Sequence, residues 1–182
     1  MGDPKRQRRR YEMPRYPWLK AQLDSELRLL GEYGLRNKRE LWRHKATLSG
    51  YWTRARELLA LSQDQRNKPQ SELLSKLQSY GLVSEGANLD NVLDLKIKDV
   101  LDRRLQTHVQ RLSLSKTSQQ ARQLITHGHI TVRGRKVTSP SYLIRREEER
   151  NIEYAPSSRF AKDASDIQGQ PPTDIPRETT GE

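Results

Sequence analysis

The chain has 182 residues, 32% hydrophobic and 31% charged, a balance that excludes a large dry core and predicts small folded units rich in surface. Its 34 lysines and arginines against 23 acids give a formal charge of +11, which costs self-repulsion unless a polyanion neutralises it and so puts nucleic acid first among partners. Cysteine is absent, which excludes disulfides, thiol catalysis and thiolate zinc sites. No run approaches the roughly 18 apolar residues of a membrane span, and no apolar stretch follows the Arg-rich start as in a signal peptide. A soluble intracellular protein without a membrane partner is expected.

The charge is unevenly spread. Residues 1–20 carry a net +5, residues 21–102 only +1, residues 103–146 ten basic side chains and no acid, and residues 147–182 a net −5. Solvated surfaces intersperse both signs, so the acid-free block reads as the polyanion site.

In chain order, residues 1–17 hold Lys5, Arg6, Arg8, Arg9, Arg10 and Arg15 among three prolines. They cannot bury enough apolar surface to fold alone and read as a basic arm that orders on a partner. From Trp18 the pattern turns helical, with Leu19, Leu23, Leu27 and Leu30 as one apolar stripe ended by Gly31 and Gly34. Asn37 three residues before Glu40 resembles a capping box opening a second helix, its buried face Leu41, Leu48, Trp52, Ala55 and Leu59 and its weak point Gly50. A cluster of Arg36, Lys38, Arg39 and Arg43 at that helix start suits phosphate contact. Trp18, Trp42 and Trp52 stand at helical spacing and are expected to pack. Residues 63–70, with Pro69, read as a polar connection; Ser71 is expected to cap a third helix with Leu74 and Leu77 inward, and Asp90 a short turn through Val92 and Leu93.

Leu101, Leu105, Val109 and Leu112 mark another helix, with Arg103, Arg104 and Arg111 off its apolar line. Thr117 and Gln120 form a second capping box, opening a helix with Ala121, Leu124 and Ile125 inward, Lys116 and Arg122 near its start and Gly128 at its end. The period then changes to two over residues 129–133, followed by a turn at Gly134 and Arg135 and by Lys136 and Val137; residues 142–144 and 151–154 are further strand candidates. Glu147, Glu148 and Glu149 read as a solvated turn. From Ala155 on, Pro156, Pro171, Pro172 and Pro176 and an acidic balance suggest an extended tail against a protein neighbour.

The stretch ARQLITHGHITVRGRKVTSPSYLI, with Thr117, Ala121, Arg122, Gln123, His127, Gly128, His129, Val132, Gly134, Val137, Pro140 and Ser141 at the pattern's positions, resembles the RNA-binding domain of the small-subunit ribosomal protein four family, which pseudouridine synthases and tyrosyl-tRNA synthetases share. Arg133 stands where Asn is common before the turn glycine. Upstream, YPWLKAQLDSELRLLGEYGLRNKRELWR and DVLDRRLQT are similar to the archaeal–eukaryotic branch of that family, in its zinc-free archaeal form, and the resemblance runs over residues 5–154. It implies a primary binder of the 5′ domain of small-subunit rRNA that nucleates assembly, sits beside small-subunit protein five near the path along which mRNA enters, and influences decoding accuracy.

The expected fold class is α+β: a basic arm (1–17), a small helical domain (18–101), a module of two helices and a small twisted antiparallel sheet (102–154), and an extended tail (155–182). Candidate RNA contacts are Lys5, Arg6, Arg8, Arg9, Arg10, Arg36, Lys38, Arg39, Arg43, Arg103, Arg104, Lys116, Thr117, Arg122, Gln123, His127, His129, Arg133, Arg135 and Lys136. Arg-rich, aromatic-poor chemistry suits structured RNA, read through backbone and 2′-OH groups, better than single strands stacked on aromatics. No catalytic motif occurs and the tail is too short for a catalytic domain, so neither an enzyme nor a cofactor is expected. The His127 and His129 pair offers too few ligands for a metal. The alternative reading is a free RNA chaperone or an accessory of RNA modification carrying the same module.

Overall fold

The computed structural model describes residues 9–161; Lys5, Arg6, Arg8 and the tail beyond Ala161 lie outside them. Among the described residues the order is seven helices and three strands: α1 Lys20–Tyr33, α2 Lys38–Leu59, α3 Gln63–Ser79, α4 Leu89–Leu93, α5 Ile97–Asp102, α6 Leu105–Arg111, α7 Ser118–Thr126, β1 Ile130–Val132, β2 Arg135–Lys136 and β3 Ile152–Tyr154. The α+β class is as expected. One apolar cluster joins α2, α3, α4 and α5 around Leu48, Ala55, Leu77, Val92 and Val100. A second joins α6, α7 and the sheet around Leu105, Val109, Ala121, Ile125, Ile130 and Ile144.

The first helix turns a different face inward than its leucine row suggests. Leu19 and Leu27 are each 57% exposed and Trp18 86%, while Glu26 is only 2% exposed. Glu26 is held by α2: Lys45 Nζ lies 2.9 Å and Lys38 Nζ 3.5 Å from its carboxylate, and Trp42 Nε1 donates to it at 3.1 Å. Burial pushes this carboxyl up, but the bonds from Lys45 and Trp42 outweigh it and hold it below its ordinary value. Of the three tryptophans, Trp42 and Trp52 are partly buried and Trp18 does not pack.

Asn37 caps α2 as expected, its side chain accepting from Glu40 N–H at 3.1 Å, and the helix runs unbroken through Gly50. The third helix begins earlier than expected, after Ser62, and carries Pro69 inside it. The proline leaves the Gln65 carbonyl without its helical donor, a loss that water offsets because Gln65 is exposed. Asn88 rather than Asp90 precedes α4, its N–H donating to Asn91 Oδ1 at 3.0 Å.

The single helix expected through Leu101 and Leu112 is two, broken at Arg103 and Arg104. Residues 140–144 lie across the break: Leu105 N–H donates to Tyr142 O at 2.8 Å, and Ile144 N–H to Arg103 O at 2.9 Å. This is why residues 142–144 do not join the sheet; their pairing is spent on the helix break, with an isolated bridge between Arg104 and Leu143. The sheet has the order β2-β1-β3, all antiparallel, with Thr131 opposite both Lys136 and Glu153. Its hairpin turns on Arg133 and Gly134, one residue earlier than expected, at φ 51° and 73°, the pair of positive angles of a type I′ turn. The acidic run is a turn as expected, but only Glu147, 80% exposed, is solvated. Glu148 is buried and accepts from Tyr142 Oη and Arg145 N–H, while Glu149 pairs with Arg103 at 2.8 Å and Glu147 with Arg133 at 2.6 Å.

Candidate nucleic-acid interface

Glu40, in the first turn of α2, joins the helical part to the basic module. Its carboxylate takes both guanidinium nitrogens of Arg122, at 2.6 and 3.1 Å, and Arg104 Nη2 at 3.3 Å. Such bidentate, charge-assisted pairs are the strong kind. Burial pushes Glu40 up, but Arg122 and then Arg104 outweigh it and hold the carboxyl below its ordinary value. Arg104 Nη1 also faces His44 Nε2 at 3.3 Å. Burial, with the Arg104 charge adding to it, lowers His44 to about 4, so the neutral ring accepts from Arg104.

A second bridge lies beside it. Gln106 Nε2 donates to the carbonyls of Tyr33, Gly34 and Ser118 at 3.2, 3.0 and 2.9 Å, tying the end of α1 to the start of α7. Gly34, at φ 57°, permits this approach, since a Cβ there would stand 2.5 Å from Ser118 Oγ.

Above the Glu40 hub opens a groove of about 1030 Å³ lined by Arg9, Arg10 and Tyr11 of the arm, Arg43 and Thr47 of α2, Arg122 of α7, and Pro140 and Ser141. Arg9 lies over the Tyr11 ring at 4.4 Å, and Tyr11 stacks on Trp42 with centroids 6.1 Å apart, which docks the arm against α2. Four arginines from three segments thus meet at one cleft, where the low-dielectric walls raise the local potential for an anion.

The other candidates divide. Arg36, Arg39, Lys116, Thr117, Gln123, His127, Arg135 and Lys136 are exposed, and His129 is half-buried. Thr117 caps α7 by accepting from Gln120 N–H at 3.2 Å, as its spacing suggests. Lys38 is engaged by Glu26, and Arg133 by Glu147. Arg103 and Arg104 are not surface groups: their side chains are 13% and 1% exposed and bound to Glu149 and Glu40. Arg104, expected on the surface, is buried instead, with its guanidinium committed to Glu40 and His44. Arg122 keeps a rim on the groove while its fork is committed to Glu40.

Sequence reasoning missed Tyr11 and Thr47, and it read Glu40 only as a cap partner. Nothing local marks Glu40 as the hub, because its partners lie 64 and 82 residues away. Among the described residues no cluster of three metal-ligating side chains occurs, and no helix is long and apolar enough to cross a membrane.

The S4 domain family matches residues 103–149. The small ribosomal subunit protein uS4 of Ignicoccus hospitalis is 52% identical over 164 residues, 90% of this chain and 99% of the relative. The uS4 proteins of Hyperthermus butylicus and Metallosphaera sedula are each 48% identical, over 89% and 88% of this chain and 92% and 89% of their own lengths. Identity of this extent, over about nine tenths of the chain, shows that the chain belongs to the small ribosomal subunit protein uS4 family.

Proposed function

We propose that the protein is a structural constituent of the small ribosomal subunit that binds the 5′ domain of its rRNA early in assembly, and that it acts in the cytoplasm, without catalysis of its own. The observation that carries this reading is the groove over Glu40, where Arg9, Arg10, Arg43 and Arg122 converge from three segments. Fixed cations on two packed units suit RNA helices meeting at an angle, since A-form RNA is recognised through phosphates and 2′-OH groups rather than base edges. Arg36, Arg39, Arg135 and Lys136, all exposed, add further cationic surface. Small-subunit protein five is the proposed protein neighbour, with mRNA passing close by and decoding accuracy depending on that contact. The match to nearly the whole length of the Ignicoccus hospitalis relative favours this over a free chaperone, which would need little more than the module.

The test is sedimentation of the tagged protein from a lysate of its own cells. Migration with small subunits, and cross-links to protein five within them, are expected. A predominantly free pool overturns the ribosomal reading, and particles that lack a cross-link to protein five overturn that partner.

A further inference from the structure

Away from the arginine groove, the end of α7 and the start of β1 enclose a second cavity of about 330 Å³, lined by Gln120, Gln123, Leu124, His127, His129 and Phe160. That volume lies at the small end of ligand pockets, enough for one planar heterocycle. Its chemistry differs from the rest of the interface, for none of these six side chains is a lysine, arginine or carboxylate. Three are rings. His129 and Phe160 meet edge to face with centroids 5.2 Å apart, and His127 lies 6.4 Å from His129.

The ring wall is built rather than incidental. Ser158, buried, bonds His129 Nδ1 at 3.0 Å through Oγ and receives Phe160 N–H at 3.2 Å, while Ala155 N–H donates to His129 O at 2.7 Å. Phe160 stands beyond the S4 domain match, which ends at residue 149, so the first turn of the tail completes the pocket. Gln120 gives only its Oε1 to Lys116 N–H, and the Gln123 amide makes no hydrogen bond within the described chain, leaving both Gln NH2 groups and the Gln123 carbonyl for an occupant. The Lys136 side chain lies against Gly128, between His127 and His129 in the chain, and a cation near these two rings suits the phosphate that accompanies a base.

We infer that this pocket takes a single unstacked base of the bound RNA, stacked on the His129 and Phe160 wall and read by the Gln120 and Gln123 amides. The inference rests on the rRNA-binding reading above. A phosphate would seek the arginines, whereas a neutral planar ring with donors and acceptors on its edge fits amides and aromatic faces.

The test uses the full chain, a transcript of the small-subunit rRNA 5′ domain, and the variants Gln123→Ala and Phe160→Leu. Both side chains are exposed, and an unchanged unfolding midpoint checks that each variant is folded. A base pocket predicts affinity lower by on the order of tenfold, an unchanged dependence on salt because every phosphate keeps its cation, and one base shielded from chemical probing by wild type that becomes reactive with either variant. Unchanged affinity, or a loss accompanied by a shallower salt slope, overturns the pocket while leaving RNA binding intact. Failure of the wild type itself to bind the transcript overturns the rRNA reading, and the pocket with it.

Discussion

At the scale of single residues, the molecule depends on a few buried charges whose partners come from distant parts of the chain. Glu40 compensates Arg104, which is 1% exposed, so Glu40→Gln leaves a buried guanidinium facing Arg122 without its anion. Removing one partner of such a pair costs about 3–5 kcal/mol, to be read as a lower urea midpoint. Replacing both, as in Glu40→Leu with Arg104→Met, is expected to recover most of the loss. The same cluster makes the fold acid-sensitive. His44, at about 4 when folded against 6.5 when free, takes up its proton more readily in the unfolded chain, so its contribution is complete above pH 6.5 and is lost as pH falls toward 4. Glu40 and Glu26, both held below 4.5, add losses once pH falls below 4.5. Stability measured against pH should therefore decline from about 6.5 downward and more steeply below about 4.5. In His44→Gln the first part of that decline should shrink but not vanish, because burial lowers His108 as well; if it persists unchanged, His44 is not among the groups responsible.

At the scale of elements, what could be read from the sequence was whatever local rules decide. Asn37 and Thr117 announce their helices because a cap acts over three residues, and Ala121, Leu124 and Ile125 are buried as their spacing indicates. The failures at α1 and at the break after α5 share one cause, which is that a distant partner overrides a local preference. Leu19 and Leu27 face solvent because α2 offers Lys38, Lys45 and Trp42 to Glu26. The helix through Leu101 breaks because residues 140–144 supply its backbone partners, and Arg104, apparently one more exposed cation, is drawn inward at that break. Two glycines, one in α1 and one at its end, test how closely α1 and α7 approach. Gly34→Ala should destabilise by more than the about 1–2 kcal/mol of its left-handed backbone alone, because its Cβ would meet Ser118 and Gln106. Gly31→Ala, where a Cβ meets nothing within 4 Å, should stabilise by about 0.5–1 kcal/mol. Thermal unfolding of the two variants reads both signs; a Gly34→Ala loss no larger than its left-handed backbone accounts for would mean that α1 and α7 do not approach this closely.

At the scale of the whole molecule, the net charge of +11 was legible at once, but its arrangement was not. The acid-free block of residues 103–146 gives Arg103, Arg104, Arg111, Arg122, Arg133 and Arg146 to carboxylates of the chain, the first two of them with little exposure, and the near-neutral helical part contributes Arg43 to the groove. The two parts are therefore locked to each other through Glu40 and Gln106, and cutting the chain between them would strand buried polar groups, so their shared grip on RNA is best tested in the intact protein. The direct measurement is the log–log salt dependence of binding to the 5′-domain transcript for wild type, for Arg10→Ala with Arg43→Ala in the groove, and for Arg135→Ala with Lys136→Ala on the hairpin. If one RNA is held from both sides, each pair lowers affinity and reduces the magnitude of the slope by about 0.7–0.9 for every phosphate left without its cation. A slope and affinity left unchanged by the groove pair, with the hairpin pair alone effective, would contradict the shared grip and make the helical part a scaffold.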